Sequence, residues 1–263
     1  EADILVGNNK KKDIAQILEE YFAAKEPEQE VPVVSEVIDI NHTKEYEDLT
    51  IHKVNEHTRA YIKIQDGCNQ FCSYCIIPYT RGRIRSKNPE EVIEEVKNLA
   101  AQGYKEIVLT GIHLSSYGKD LGTVTLLDVI KRIQQVEDVE RIRLGSLEPR
   151  IITEEFVKEL VKCDKVCPHF HLSLQSGCDE TLKRMNRKYT TEEYEEALNI
   201  LRKYYEHPAL TTDVIAGFVG ETEEEFEKTR AYLEKINLRC IFLSILYEKE
   251  QEHRRCPGMC RNR

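Results

Sequence analysis

Residues 66–75 are DGCNQFCSYC and place Cys68, Cys72 and Cys75 in the spacing C-x3-C-x2-C. Three thiolates within eight residues can bind one metal centre without help from distant parts of the chain. Such ligands suit iron–sulfur clusters and zinc, but a structural zinc site usually has four ligands. Three cysteines on a four-iron cube leave one iron open to a small molecule. The stretch favours such a cluster, with zinc and ordinary cysteines as alternatives.

The flanks of this stretch carry a family resemblance. Residues 61–86, YIKIQDGCNQFCSYCIIPYTRGRIRS, resemble the methylthiotransferase branch of the radical S-adenosylmethionine (SAM) enzymes. An Asp-Gly-Cys opening, an aromatic residue before the third cysteine (here Tyr74) and a Pro-Tyr-x-Arg-Gly close carry the likeness. The resemblance implies a 4Fe-4S cluster on Cys68, Cys72 and Cys75 that binds SAM and forms the catalytic centre, with Tyr74 beside the cofactor.

Composition and charge limit the class of protein. The chain has 263 residues, 40% hydrophobic and 32% charged, with nine cysteines and a net charge of −9. An odd number of cysteines argues against a disulfide scaffold. The sequence contains no apolar stretch of about 18 residues, so we predict no membrane span. We therefore expect a cytoplasmic protein. Residues 1–57 contribute 14 acidic and 6 basic side chains, so the remainder is nearly neutral and could still meet phosphate locally.

The order of strands and helices predicts an α/β fold. From residue 58 onward, short apolar strands alternate with amphipathic helices, which indicates a parallel sheet. The predicted strands are 60–65, 106–109, 142–144, 170–174, 212–216 and 240–246. We predict a partial (β/α)6 TIM-like radical SAM barrel over residues 58–246, with the chemistry at the carboxyl ends of its strands.

The ends of the chain depart from the family pattern. Residues 1–25 resemble the end of the methylthiotransferase N-terminal domain, and 26–57 have the composition of a linker that includes an extended arm from Val31 to Ile40. In the family that domain holds a second, auxiliary 4Fe-4S cluster, but no cysteine precedes Cys68 here. Residues 247–263 form an atypical tail in place of the family's RNA-binding β-barrel, with Cys256 and Cys260 as a weak candidate metal pair.

Polar residues after the predicted strands are candidates for SAM binding. The resemblance assigns Thr110 and Gly111 to the SAM amino group, and Ile215 and Gly217 to its adenine. Further candidates are Glu148, Ser173, Gln175 and Arg187. Ser173 and Gln175 are two apart and would share one face of a strand, whereas the guanidinium of Arg187 suits an anion. The alternative interpretations are a simple turn for Gly111, a helix-capping carboxylate for Glu148 and a solvated basic face for Arg187.

The basic run Arg81, Arg83, Arg85 and Lys87 lies beside the cysteine loop. Cations at alternate positions can follow a phosphate backbone, so we predict contact with a tRNA anticodon stem-loop. A surface face of ion pairs is the alternative.

The stretch LTGIHLSSYG, which contains His113, resembles the branch of the family that acts on threonylcarbamoyladenosine in tRNA. The resemblance implies methylthiolation of adenosine carbon 2 through a deoxyadenosyl radical, with flavodoxin or ferredoxin as electron donor. Alternative substrates are isopentenyladenosine in tRNA or a ribosomal protein, and a further alternative is an incomplete cluster- or zinc-binding fragment. We expect this chain to cleave SAM without completing sulfur transfer.

Overall fold

The computed structural model describes residues 3–24, 34–47 and 58–246, and every structural statement below concerns those residues. The predicted tail 247–263, with Cys256 and Cys260, lies outside them, as do parts of the predicted linker. No helix within the described ranges is long and apolar enough to cross a membrane.

The first described ranges form a small α/β unit. Strand β1 (Ile4–Val6) pairs in parallel with β2 (Val34–Glu36), and helix α1 (Ile14–Ala24) lies between them in the chain. Residues 34–36 of the predicted linker form strand β2, which lies within the predicted extended arm. Hydrogen bonds join this part of the chain to the barrel: the Tyr46 hydroxyl donates to Lys63 O at 2.6 Å, and Asn8 Nδ2 donates to Thr80 O at 2.6 Å.

The main unit alternates strands and helices from residue 59 onward. Its strands are β3 (Arg59–Asp66), β4 (Arg85–Ser86), β5 (Glu106–Gly111), β6 (Arg141–Leu144), β7 (His169–His171), β8 (Ala209–Ala216) and β9 (Cys240–Ile245). Its helices are α2 (Ile77–Thr80), α3 (Pro89–Ala101), α4 (Leu126–Ile133), α5 (Glu154–Leu160), α6 (Asp179–Arg184), α7 (Thr191–Tyr204) and α8 (Glu223–Ile236).

Six of these strands run parallel as the wall of a half-barrel. The strand order is β4-β3-β5-β6 in one sheet and β7-β8-β9 in the next, with β4 antiparallel to β3. Parallel bridges from Ile142 to Val166 and from Leu147 to Leu172 join the two sheets. This arrangement confirms the predicted partial TIM-like barrel.

Side chains alternate between the two faces of the wall. Ile62, Ile64 and Leu109 have no exposed surface and pack with the helices in one hydrophobic core. Because side chains in a strand point alternately to opposite faces, the intervening residues face the concave side, which we call the lumen. The strands therefore bury an apolar face outward and present a more polar face inward.

Local capping signals explain the helix bounds. The Asn88 side chain accepts a hydrogen bond from Glu90 N, and Pro89 occupies the first helical position of α3. Thr125 and Asp128 form a reciprocal capping box at the start of α4. Such signals lie within four residues of each other, so they could be recognised in the sequence.

The fourth barrel strand is shorter than predicted. It ends at His171 rather than at residue 174, and Gln175 has a left-handed backbone with φ of 74°. The hydroxyl of Tyr189 donates to the carbonyl oxygens of Ser173 and Leu174 at 2.5 and 2.8 Å. These carbonyls are therefore bound to a side chain instead of a regular ladder. The expectation that Ser173 and Gln175 share one strand face is wrong for this reason.

Candidate active site

The cysteine loop leaves the carboxyl end of β3. Gly67 has φ of 71°, and a Cβ there would lie 1.8 Å from the carbonyl oxygen of Arg83, so this turn requires glycine. Cys68 N donates to Gly82 O at 3.0 Å, and Cys75 N donates to Cys72 O at 3.0 Å. The loop thus folds back on residues 82 and 83 and holds its three thiols at the mouth of the barrel.

Asp66 anchors the start of this loop. Its Oδ1 accepts from Gly67 N at 2.8 Å, and its Oδ2 lies 3.0 Å from Lys63 Nζ and 3.7 Å from Arg81 Nη1. Burial opposes ionisation, yet the charge and hydrogen bond of Lys63, with the Gly67 amide and Arg81, hold the pKa of Asp66 below its usual value. The carboxylate is therefore a stable hub between the strand and the loop.

Residues 184–187 clamp the cysteine loop from the opposite side. Ser73 N donates to Met185 O at 3.1 Å, the Ser73 hydroxyl donates to Arg184 O at 2.8 Å, and Asn186 Nδ2 donates to Phe71 O at 2.7 Å. Phe71 and Asn186 both adopt positive φ, at 52° and 58°. The sequence analysis missed this clamp, because its partners lie more than 100 residues apart and leave no local signal.

Arg187 completes the clamp at a thiol. Its Nη1 donates to Cys72 Sγ at 3.3 Å, and its Nε donates to the Tyr189 hydroxyl at 2.9 Å. The guanidinium also lies over the Tyr189 ring, 4.9 Å from its centroid. Arg187 was predicted to contact a SAM anion, and the structure places it against the thiol of Cys72.

The donor set of the loop fits an iron–sulfur cluster. Cys68 is buried, Cys72 and Cys75 are half-buried, and burial raises the pKa of the Cys68 thiol. Within the described ranges, no three His, Cys, Asp or Glu side chains converge closely enough to hold a single metal ion. A four-iron cube binds each thiolate at a different iron, so its cysteines need not converge on one point.

Two strand-end candidates lie beside the loop at the end of β5. The Thr110 hydroxyl donates to Ile62 O at 3.1 Å, so its side chain is engaged with β3. A Cβ at Gly111 would lie 2.9 Å from Gln65 Oε1, which shows that the two strand ends approach each other closely. His113 N donates to the same Gln65 oxygen at 2.7 Å. Gln65 was not a predicted site residue, yet it orders this corner.

His113 and Glu148 form a second corner. His113 Nδ1 lies 2.6 Å from the Ser116 hydroxyl, and its Nε2 lies 3.5 Å from Gln70 Nε2 and 4.0 Å from Glu148 Oε2. Burial lowers the pKa of His113 to about 4, despite the nearby Glu148 charge. Glu148 is itself buried and is bound by Arg150. This corner connects the cysteine loop to the end of β6 through Gln70.

The predicted adenine-binding segment lies at the end of β8. Ile215 N donates to Gln175 O at 2.8 Å, and Gly217, with φ of 73°, donates through its amide to Glu221 Oε2 at 2.6 Å. The Tyr74 ring from the cysteine loop packs edge-on against Phe218, with centroids 6.2 Å apart. The structure therefore brings Tyr74 to the segment containing Gly217, and the roles of these residues in binding SAM stay predictions.

The predicted basic run is divided by burial. Arg81 is half-buried and Arg83 is exposed, whereas Arg85 and Lys87 are only 1% and 2% exposed. Arg85 lies 4.0 Å from Asp66, and Lys87 Nζ lies 2.7 Å from Glu95 Oε2 inside the protein. The prediction of tRNA contact is wrong for Arg85 and Lys87, because a buried, paired cation cannot reach a phosphate backbone.

The chain forms a half-barrel with three cysteines in the loop at its mouth, and solved structures share this fold. A radical SAM methyltransferase, TsrM, from Kitasatospora setae with cobalamin and a [4Fe-4S] cluster aligns with a TM-score of 0.60 at 19% identity, covering 71% of this chain and 36% of that one. The cobalamin-dependent SAM radical enzyme OxsB with SAM bound gives 0.61 at 12% identity, covering 86% and 35%. At these identities the likeness supports the fold alone.

Sequence comparison identifies the family. Residues 62–233 match the model of the radical SAM superfamily, which is more than half of the chain, so the chain belongs to this superfamily. Membership implies a 4Fe-4S cluster and SAM as cofactors.

Curated relatives narrow the resemblance to methylthiotransferases. The threonylcarbamoyladenosine tRNA methylthiotransferase MtaB of Bacillus subtilis is 42% identical over 89% of this chain and 51% of its own length. Its namesake in Aquifex aeolicus is 40% identical over 90% and 56%. A tRNA-2-methylthio-N(6)-dimethylallyladenosine synthase of Clostridium botulinum is 42% identical over 74% and 44%. The chain spans about half the length of these relatives.

Proposed function

We propose that this chain is the catalytic barrel of a radical SAM methylthiotransferase that acts on carbon 2 of N6-threonylcarbamoyladenosine in tRNA. The observation that carries the proposal is the loop of Cys68, Cys72 and Cys75 at the carboxyl end of the first barrel strand. The identity of 40–42% to two MtaB proteins over about nine tenths of the chain supports the substrate.

Each part of the mouth has a task in this proposal. The three thiolates would hold the cluster, which when bound supplies the one-electron cleavage of SAM. Tyr74, Thr110, Gly111, Glu148, Ser173, Gln175, Ile215 and Gly217 would surround the SAM molecule. The 184–187 clamp keeps the loop closed around the reacting atoms and limits the access of water, which protects a radical.

The partners follow from the same proposal. The substrate would be the anticodon stem-loop of a tRNA, and the exposed cation Arg83, with the half-buried Arg81, would contact its backbone. A cytoplasmic flavodoxin or ferredoxin would supply the electron. We also propose that an auxiliary cluster, for which this chain has no cysteine before Cys68, takes part in sulfur transfer.

Anaerobic reconstitution of the chain with iron and sulfide tests the chemistry. We expect four irons per chain by analogy with a single cube, and release of 5′-deoxyadenosine from SAM with dithionite. The Cys72→Ala variant is expected to abolish both, and Cys163→Ala, at a buried cysteine outside the loop, is the matched control. Bound zinc without SAM cleavage would contradict the enzyme and favour a metal-binding fragment.

Modified nucleosides test the substrate. The gene from which this sequence comes is expressed in a bacterium that lacks its own threonylcarbamoyladenosine methylthiotransferase, and digested tRNA is analysed by mass spectrometry. We expect the 2-methylthio form of threonylcarbamoyladenosine. The 42% identity to a dimethylallyladenosine-modifying enzyme makes that base the second candidate, and its methylthiolation instead would overturn the proposed substrate while keeping the reaction.

A further inference from the structure

A histidine, an aspartate and a phenylalanine meet on the lumen face of the barrel. His171 alternates with the core residues Phe170 and Leu172, and Asp213 alternates with Val214. Both therefore face the lumen. Asp213 is the register partner of Phe242 in β9, so these two side chains share the same face.

Hydrogen bonds fix the geometry of the carboxylate. His171 Nε2 lies 3.0 Å from Asp213 Oδ2, and because an ionised carboxylate only accepts, the imidazole N–H donates to it. His171 Nδ1 lies 3.0 Å from the Thr211 hydroxyl, so both ring nitrogens are engaged. The Asp213 side chain is still 44% exposed, whereas His171 is 14% exposed. The carboxylate is thus the member of the pair with acceptor capacity left for a ligand.

Phe242 adds a flat apolar surface beside this acceptor. Its ring centroid lies 5.9 Å from that of His171, and 57% of the residue is exposed. An exposed aromatic ring next to a fixed hydrogen-bond acceptor suits a planar ligand that carries N–H donors, since nucleobases stack on such rings.

The position relative to the mouth points to the reacting base. Asp213 precedes the predicted SAM contact Ile215 by two residues on β8, or roughly 6–7 Å at the rise of a strand, and His171 ends β7 two residues before the predicted SAM contact Ser173. The negative Asp213 would repel a phosphate or carboxylate group in direct contact with it. A neutral base edge with N–H groups is therefore the group that this place accepts.

We propose that Asp213 and Phe242 form a subsite for the nucleobase of the substrate, in which Asp213 accepts a hydrogen bond from the N–H at N6 of a modified adenine, Phe242 stacks on the ring, and the carboxylate of the N6 substituent points away from Asp213. His171 is a positioning residue that acts through Asp213. This inference rests on the proposed function and adds the residues that would hold the base.

The test measures binding of two free nucleosides to the reconstituted chain by ligand-observed NMR. They are N6-threonylcarbamoyladenosine and N6,N6-dimethyladenosine, which lacks N–H at N6. We expect Asp213→Asn to weaken binding of N6-threonylcarbamoyladenosine about ten-fold, as for a hydrogen bond to a charged group. Binding of N6,N6-dimethyladenosine should change little. Asp138→Asn, at an aspartate 65% exposed outside the lumen pair, is the control and should change neither.

The aromatic contact has a matched control on the same strand. Phe242 and Leu243 are 57% and 58% exposed and point to opposite faces of β9. We expect Phe242→Ala to weaken the binding of both nucleosides about ten-fold through lost stacking. Leu243→Ala should weaken the binding of neither. Equal effects of the two alanine variants would overturn the stacking surface.

A double substitution tests the positioning role of His171. If His171 acts through Asp213, His171→Asn weakens nucleoside binding in the parent chain and has no further effect in the Asp213→Asn background. If His171 has only a structural role, His171→Asn would weaken nucleoside binding in the parent chain and in the Asp213→Asn chain alike.

The remaining outcomes separate this inference from the proposed function. SAM also carries N–H donors, so a loss of SAM affinity in Asp213→Asn that equals or exceeds the loss of nucleoside affinity would assign the subsite to SAM and overturn the inference. Absence of nucleoside binding to the parent chain, while its gene methylthiolates tRNA in cells, would overturn the subsite alone. Absence of both would overturn subsite and function together.

Discussion

The buried pair of Lys87 and Glu95 allows a sharp test of which basic residues serve the fold. The side chains are 2% and 5% exposed, with 2.7 Å between Lys87 Nζ and Glu95 Oε2. Lys87→Met leaves Glu95 as a buried charge without this partner, and breaking such a pair typically costs about 3–5 kcal/mol. That is a large part of the roughly 5–15 kcal/mol by which a domain is stable.

Thermal and urea unfolding followed by circular dichroism measures this loss. At roughly 2–4 °C per kcal/mol for a domain of this size, we expect Lys87→Met to lower the unfolding temperature by roughly 6–20 °C. The double variant Lys87→Met with Glu95→Leu should recover most of it, because apolar replacement of a whole buried pair is often neutral or stabilising.

Arg83→Met is the matched control. Arg83 is exposed and lies over the Phe71 ring at 4.6 Å, so its loss should cost at most about 1 kcal/mol. The reasoning is refuted if Lys87→Met unfolds with the parent protein and instead weakens binding of an anticodon stem-loop. That result would restore Lys87 as an RNA contact and overturn its assignment to the fold.

Three further predictions concern the mouth of the barrel. Gly67→Ala should prevent assembly of the cluster, because its Cβ would lie 1.8 Å from Arg83 O. An iron content equal to that of the parent would contradict this. Gly103→Ala, with no atom within 4 Å of the added Cβ, controls for backbone strain at positive φ. Arg187→Gln should lower the reduction potential of the reconstituted cluster, since a hydrogen bond to Cys72 Sγ stabilises the more negative reduced form; redox titration followed by electron paramagnetic resonance measures it, and an unchanged potential would argue against the contact. His113 has a pKa of about 4 in the folded chain and an ordinary value near 6.5, so the unfolded state binds more protons between these values and stability falls as pH drops from 6.5 towards 4; His113→Asn should flatten this slope, and an unchanged slope in urea unfolding would contradict the burial of a neutral imidazole.

Features encoded by neighbouring residues could be predicted from the sequence. The cysteine spacing lies within residues 68–75, and the helix bounds at Pro89 and Leu126 follow from caps only a few residues long. The alternation of strands and helices was enough for the half-barrel, because parallel strands need crossover helices and short connections leave few topologies.

Burial of charge could not be predicted in the same way. Arg83 and Lys87 belong to one alternating run, yet one is exposed and the other lies against Glu95. A run of cations looks the same in the sequence whether its carboxylate partners are near or absent. The partner of Arg85 is Asp66 in β3, and the partner of Lys87 is Glu95 in α3. Only the tertiary packing brings these side chains together.

The chemistry of the loop is encoded within a few residues, because three thiols at a fixed spacing can bind one cluster wherever the chain places them. What surrounds that loop depends on long-range packing. Asn186 and Arg187 reach Phe71 and Cys72 across 115 residues, and Asp213 meets His171 across 42. Such contacts depend on which strands become neighbours, and a single sequence carries no local mark of that choice.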